Sequence, residues 1–114
     1  MTNLYSKYIK EREGIDTVVH ENGHGYATYK KLDDGSYYLI DIFVEKEYRR
    51  SHIATQLSEQ VKQIALADKA TTMLGSVCLT TNGVTESLKA VLGDGFKYSH
   101  ASNNTLYFKK EIKE

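Results

Sequence analysis

The stretch Tyr37-Tyr38-Leu39-Ile40-Asp41-Ile42-Phe43-Val44 runs directly into Glu45-Lys46-Glu47-Tyr48-Arg49-Arg50-Ser51-His52 and then Ile53. The first part is apolar or aromatic apart from one acid, the composition of a strand buried in a sheet. The second part is charged and reads as a turn. From Ile53 onward, Ile53, Leu57, Val61, Ile64 and Ala65 recur at three- and four-residue steps, with Gln56, Glu59, Lys62 and Gln63 opposite them. That is an amphipathic helix. The first N–H groups of a helix lack internal partners and carry the positive end of its dipole. Strand, cationic turn and helix start therefore make a cradle for an anion, and a phosphate-bearing ligand is the first expectation. Ser51 stands where an amino-terminal cap is expected.

Working outward, Lys7 to Gly14 is a charged lead-in, either a short helix or an irregular arm. Thr17-Val18-Val19-His20 and Tyr26-Ala27-Thr28-Tyr29 read as strands around a turn at Glu21 to Gly25. Asp33-Asp34-Gly35-Ser36 is a second turn, so the Tyr37 strand completes an antiparallel meander. After the helix, Thr72 to Leu79 reads as a strand that a crossover should place parallel to Tyr37–Val44. Val84, Leu88, Val91 and Leu92 mark a second helix, capped by Asn82 and ended by Gly93. A hairpin closes the chain: Phe96 to His100, a turn at Ala101 to Asn104, then Thr105 to Ile112. The order β-β-β-α-β-α-β-β describes an α/β (α+β) fold, a mixed and mostly antiparallel twisted sheet with helices on its faces.

Size and composition narrow the function. The 114 residues, 40% of them hydrophobic, suit a single domain over residues 1–114. Fifteen basic and fifteen acidic residues cancel, so no global charge favours nucleic acid or an anionic membrane. No apolar run approaches the roughly 20 residues that span a bilayer. The amino terminus has no apolar signal core, and a lone Cys78 fits a reducing cytoplasm. The four histidines are scattered, and the turn around His20 and His24 argues against a metal site.

The element order and the turn together resemble the GNAT superfamily of acyl-CoA-dependent N-acetyltransferases. Its signature, Val-x-x-x-x-(Arg/Gln)-x-x-Gly-x-(Gly/Ala), is matched by Val44-Glu45-Lys46-Glu47-Tyr48-Arg49-Arg50-Ser51-His52-Ile53-Ala54. A second landmark, an asparagine, a helix and then Gly-Phe, is matched by Asn82, Val84 to Leu92 and Gly95-Phe96. The resemblance implies that the backbone amides of Ser51, His52, Ile53 and Ala54 hold the pyrophosphate of acetyl-CoA, with Arg49 and Arg50 adding charge. It implies that the main chain from Ile42 through Phe43 to Val44 runs beside the pantetheine arm, and that Asn82 touches that arm or merely caps a helix. The acceptor is then an amine of a small molecule or a protein, attacked directly without an enzyme-bound acyl group. No metal, nucleic acid or membrane is implied.

Three departures bear on mechanism. His52 replaces the glycine of the turn, removing the residue that lets backbone approach phosphate closely. Val91 stands where many members carry the tyrosine acid. Ile40 and Tyr38 stand where polyamine-type and histone-type members carry the glutamate base. Asp41 is the only carboxylate on the strand; flanked by apolar residues, it is either a desolvated base or a structural acid. Tyr98 is a substitute candidate for the acid. Cys78 reads as a buried inert thiol rather than an acyl-carrying nucleophile. A second class of function shows the same departures: a catalytically inactive domain of this fold that binds CoA or another protein. The last strand (Leu106, Phe108, Ile112) is a candidate for pairing in a homodimer.

Overall fold

A computed structural model describes residues 4–49, 51–80 and 83–113. The elements are α1 (Leu4–Glu13), β1 (Asp16–Val19), β2 (Gly25–Lys31), β3 (Tyr37–Val44), α2 (Ile53–Ala67), β4 (Thr72–Cys78), α3 (Val84–Gly93), β5 (Lys97–Ser102) and β6 (Thr105–Glu111), with a 3-10 turn at Lys46–Tyr48 between β3 and α2. The charged lead-in is thus a helix, preceding the eight elements expected. The strands form one sheet in the order β1-β2-β3-β4-β6-β5. All neighbours are antiparallel except β3 and β4, which the α2 crossover makes parallel.

Ile53, Leu57, Val61 and Ala65 are buried on one stripe of α2, against Ala27, Tyr37, Val44, Met73 and Val77 of the sheet. The carboxyl end of the helix is anchored as well: Tyr37 donates its hydroxyl to Asp68 (2.8 Å) and Lys31 lies 2.7 Å from the same carboxylate. Burial and that carboxylate push the Tyr37 phenol up to about 12. Phe96 covers Gly75 from the helix side, its ring 3.5 Å from where a Cβ would stand. On the other side of the sheet α1 lies against β1, with Ile9 buried.

Two expectations are corrected. The hairpin between β5 and β6 turns on Asn103 and Asn104, both at positive φ (50° and 62°), a two-residue turn tighter than the one expected. And β6 pairs with β4 on one side and β5 on the other, so both its edges are occupied and it has none to offer a second copy. The sheet ends on β1 and β5 instead.

Candidate active site

The parallel ladder between β3 and β4 is short. Tyr37, Tyr38 and Leu39 pair with Met73, Leu74 and Gly75, and pairing stops there although both strands continue. On the opposite edge of β3, Thr28 faces Asp41 and Tyr29 faces Leu39, so Ile40 is an extra residue without a β2 partner. A bulge bends its strand and increases the twist. Bending at Ile40 carries the rest of β3 away from β4. The backbone from Ile40 to Val44 then presents an edge that faces no strand on that side.

That edge leads to the start of α2. His52, the N-cap residue, adopts the left-handed conformation (φ 67°, ψ 9°), and no side-chain hydrogen bond caps the helix. Ser51 is not the cap; its hydroxyl donates back to the Tyr48 carbonyl. The left-handed turn explains why a glycine is the expected residue here: the position needs a positive φ. The first amides of α2 open onto a groove of about 250 Å³ lined by Val44, Tyr48, Arg49, His52, Ile53, Ala54 and Thr55. A second groove, about 340 Å³, shares Ala54 and Thr55 and continues past Leu39 and Ile42 to Val91, Asp94 and Phe96. The two make a trough from the cationic turn to the point where β3 and β4 part.

The turn is held from outside. Glu45 donates its amide to the His24 carbonyl (2.9 Å), and the His24 ring stacks on Tyr48 at 3.6 Å and 8°. One turn into α2, Gln56 accepts from His20 Nε2 (2.6 Å). Arg49 donates its Nε to the Val44 carbonyl (3.0 Å), which ties the turn to the strand and leaves the far end of the guanidinium at the groove. Arg50 and Asn82, both candidates from the sequence, lie outside the described residues; Gly83 occupies the N-cap of α3. Groups of His, Cys, Asp and Glu arranged to hold a metal are not found among the described residues.

Comparison with known proteins decides the family. The profile of the acetyltransferase (GNAT) family matches residues 7–87. The chain belongs to the GNAT acetyltransferase family.

Solved GNAT structures share its fold at low identity. A GNAT-family acetyltransferase from Staphylococcus aureus is 14% identical, with 94% of this chain and 75% of that one covered and a TM-score of 0.76. The PaiA N-acetyltransferase of Thermoplasma acidophilum, in complex with coenzyme A, is 13% identical over 96% of this chain and 69% of its own, with a TM-score of 0.77. A structure assigned to a streptothricin acetyltransferase of Bacillus anthracis, in complex with acetyl coenzyme A, is 21% identical over 84% and 60%, with a TM-score of 0.69. No curated protein matches.

In this GNAT chain the helix-side face of the sheet carries the trough, and Asp41 lies on the reverse. Asp41 faces Thr28 in register, two positions from the Tyr26–Phe43 pair on the same face, whose rings are 5.8 Å apart. Asp41 is an exposed residue, yet the neighbouring atoms desolvate its carboxyl in part and raise its pKa, against the lowering effect of the Ile42 amide. Val91 does line the trough, so an aliphatic side chain sits at the position of the family tyrosine. Tyr98 is elsewhere: it is on β5, three strands and about 14 Å from β3, edge-on to Phe108. Cys78 is half-buried rather than buried, and its thiol lies 3.2 Å from the Thr80 hydroxyl, which lowers its pKa. Sequence reasoning missed the His24–Tyr48 clamp, since its partners stand far apart in the chain.

Proposed function

We propose that this GNAT domain transfers the acetyl group of acetyl-CoA to an amine of a small molecule or a protein by direct attack. The observation that carries the reading is the parting of β3 and β4 after the Leu39–Gly75 pair, continuous with the trough that ends on the uncapped start of α2. The fit to acetyl-CoA is chemical at each point. Free amides of Ser51 to Ala54 with Arg49 and Arg50 suit a pyrophosphate. The unpaired edge of Ile42 to Val44 suits the amide groups of a pantetheine chain. From Val44 back to Ile40 the strand covers about 13 Å, a span that an extended pantetheine crosses to bring a thioester to the apex of the cleft.

At the apex the chain's own groups handle one proton. Asp41, its pKa raised from the ordinary value by desolvation, takes it from the attacking amine, directly or through water. The amine arrives on the Asp41 face and the thioester from the trough, so the amine adds to the thioester carbonyl carbon through the gap. The protein acts as one domain, in the cytoplasm. Among the described residues no helix is long and apolar enough to cross a membrane.

The second reading, a CoA-binding or protein-interaction domain without turnover, is favoured by Val91 in place of a phenol. Two measurements separate them. CoA should raise the melting temperature of the protein, by the equivalent of about 2.7 kcal/mol at 100 times Kd, and Arg49→Glu with Arg50→Glu should abolish that gain. Release of free thiol from acetyl-CoA with a panel of primary amines identifies the enzyme. Binding without thiol release supports the second reading, and no binding sinks the transferase and leaves only the protein-interaction form of the second.

A further inference from the structure

The departures from the family leave the leaving thiolate without an evident proton donor, and the reverse face of the sheet supplies one. Tyr38 pairs with Leu74 across the ladder, but its hydroxyl does not stay level with that pair. It reaches along the sheet to the Ser76 hydroxyl at 2.6 Å. Ser76 follows Gly75, the last residue of β4 that pairs with β3. The two hydroxyls therefore meet across the first step at which the strands have parted, at the apex of the cleft.

Side-chain alternation fixes the face. Met73, Gly75 and Val77 of β4 are buried under the helices, so Ser76 points the other way, toward the side that carries Asp41. Ser76 is opposite Tyr107 of β6, and Tyr107 is opposite His100 of β5, with the two rings stacked at 4.8 Å and 14°. A polar row thus runs across β3, β4, β6 and β5, beginning at the apex. Both Tyr38 and Ser76 are half-buried, shielded enough to hold one geometry and open enough to exchange protons with water.

We infer that Tyr38, held by Ser76, is the proton donor to the departing sulfur, taking from the reverse face the role that Val91 cannot fill from the trough. The inference rests on the transferase reading above. The amine nitrogen bonds to the thioester carbon and the carbon–sulfur bond breaks, its electron pair remaining on sulfur. The nitrogen loses its proton to Asp41 and from there to water. Sulfur takes the phenolic proton of Tyr38, and Ser76 returns one to the phenolate from the same water. The net change is one proton moved from nitrogen to sulfur, with no other reactant.

The test needs no knowledge of the acceptor. The thiol of CoA bound to the wild-type protein is titrated by its ultraviolet absorbance, alongside Tyr38→Phe and Ser76→Ala. A phenol donating to sulfur stabilises the thiolate, so the bound thiol should ionise about one unit lower than free CoA. Tyr38→Phe should abolish that shift, Ser76→Ala should reduce it and Ser76→Thr should keep it, with Kd for CoA unchanged at a pH where the thiol is protonated. Where an amine supports turnover, Tyr38→Phe should lower kcat about 100-fold. Normal CoA binding with the same thiol ionisation in wild type and Tyr38→Phe overturns this inference and leaves the transferase reading standing. A wild-type protein that does not bind CoA overturns both.

Discussion

Leu39 faces Gly75 across the parallel ladder, and it is the last residue of β3 to face β4. The next residue, Ile40, is the one that β2 leaves without a partner. The bulge on one edge and the opening on the other are thus one event: the extra residue turns the strand, and the turn opens the sheet. A mostly antiparallel sheet gains a cleft in this way without losing its core, because Tyr37, Val44, Met73 and Val77 remain buried on either side of the break.

Gly25 sets how closely α2 can approach that cleft. A Cβ there would stand 3.0 Å from Ile53 Cγ2, 3.0 Å from the Phe43 carbonyl oxygen and 3.3 Å from Leu57 Cδ1. The carbonyl belongs to the sheet and cannot yield, so the first turn of α2 has to move. Gly25→Ala should destabilise the protein by about 1–3 kcal/mol, measured by urea unfolding. Its CoA-dependent rise in melting temperature should shrink as well, because the displaced turn carries the anion-binding amides. An unchanged rise would show that the start of α2 does not hold the ligand.

The left-handed turn at His52 makes a second prediction. A non-glycine residue at φ 67° is strained by about 1–2 kcal/mol, while glycine loses about 0.5–1 kcal/mol in backbone entropy. His52→Gly should therefore raise stability by up to about 1 kcal/mol, and CoA should bind at least as tightly. His52→Ala keeps the strain and should gain nothing. If both variants lose affinity equally, the imidazole itself contacts the phosphate and the backbone shape is secondary.

Much of this fold was legible from local pattern. The ends of β3 and the start of α2 coincide with those read from the sequence, because an apolar run and a 3.6-residue period are local properties. The parallel pairing followed from the crossover helix between the strands. What was not legible depends on partners. The bulge exists only relative to the register of β2, and the β6 edge is closed only because β4 and β5 flank it. Ser51 failed as a cap because His52 took the helix boundary in a conformation that composition does not announce. In the site, the turn and the Asp41 environment could be read from neighbouring residues. The Tyr38–Ser76 pair joins strands 38 residues apart, and only the fold brings it together.

Asp41 predicts a conflict between stability and activity. Its pKa is raised in the folded protein, chiefly by desolvation. For an acid with a raised pKa the folded state binds more protons than the unfolded state across the interval between the two values. Stability therefore falls as pH rises through that interval, and the penalty is fully present at neutral pH. Asp41→Asn should raise the melting temperature at pH 7 and reduce the difference between pH 4 and pH 7. If Asp41 is the base, the same variant should lower kcat by about 100-fold or more. A gain in stability with full activity would make it a structural acid.

Asp94 ties together α2, α3 and β6, and the first two of these wall the trough. Ser58 of α2 donates its hydroxyl to Asp94 Oδ2 at 2.6 Å, and Lys110 of β6 stands 3.6 Å from the same oxygen. Asp94 itself follows the last residue of α3, so the carboxylate holds that helix end against α2. Ser58→Ala removes one bond and leaves the ion pair, at a loss of about 1 kcal/mol. Asp94→Ala leaves the Ser58 hydroxyl, which is 5% exposed, without its partner and frees Lys110. Its loss should be larger, about 1–3 kcal/mol. The informative measurement is amide hydrogen exchange: Asp94→Ala should speed exchange in α3 more than in α2 or β3, because the carboxyl end of α3 loses its polar tether to α2 and β6. CoA should slow it again if the bound pantetheine fills the trough and presses α3 back. Exchange that rises equally in all three elements would make Asp94 a general stabilising group rather than the tether of the trough wall.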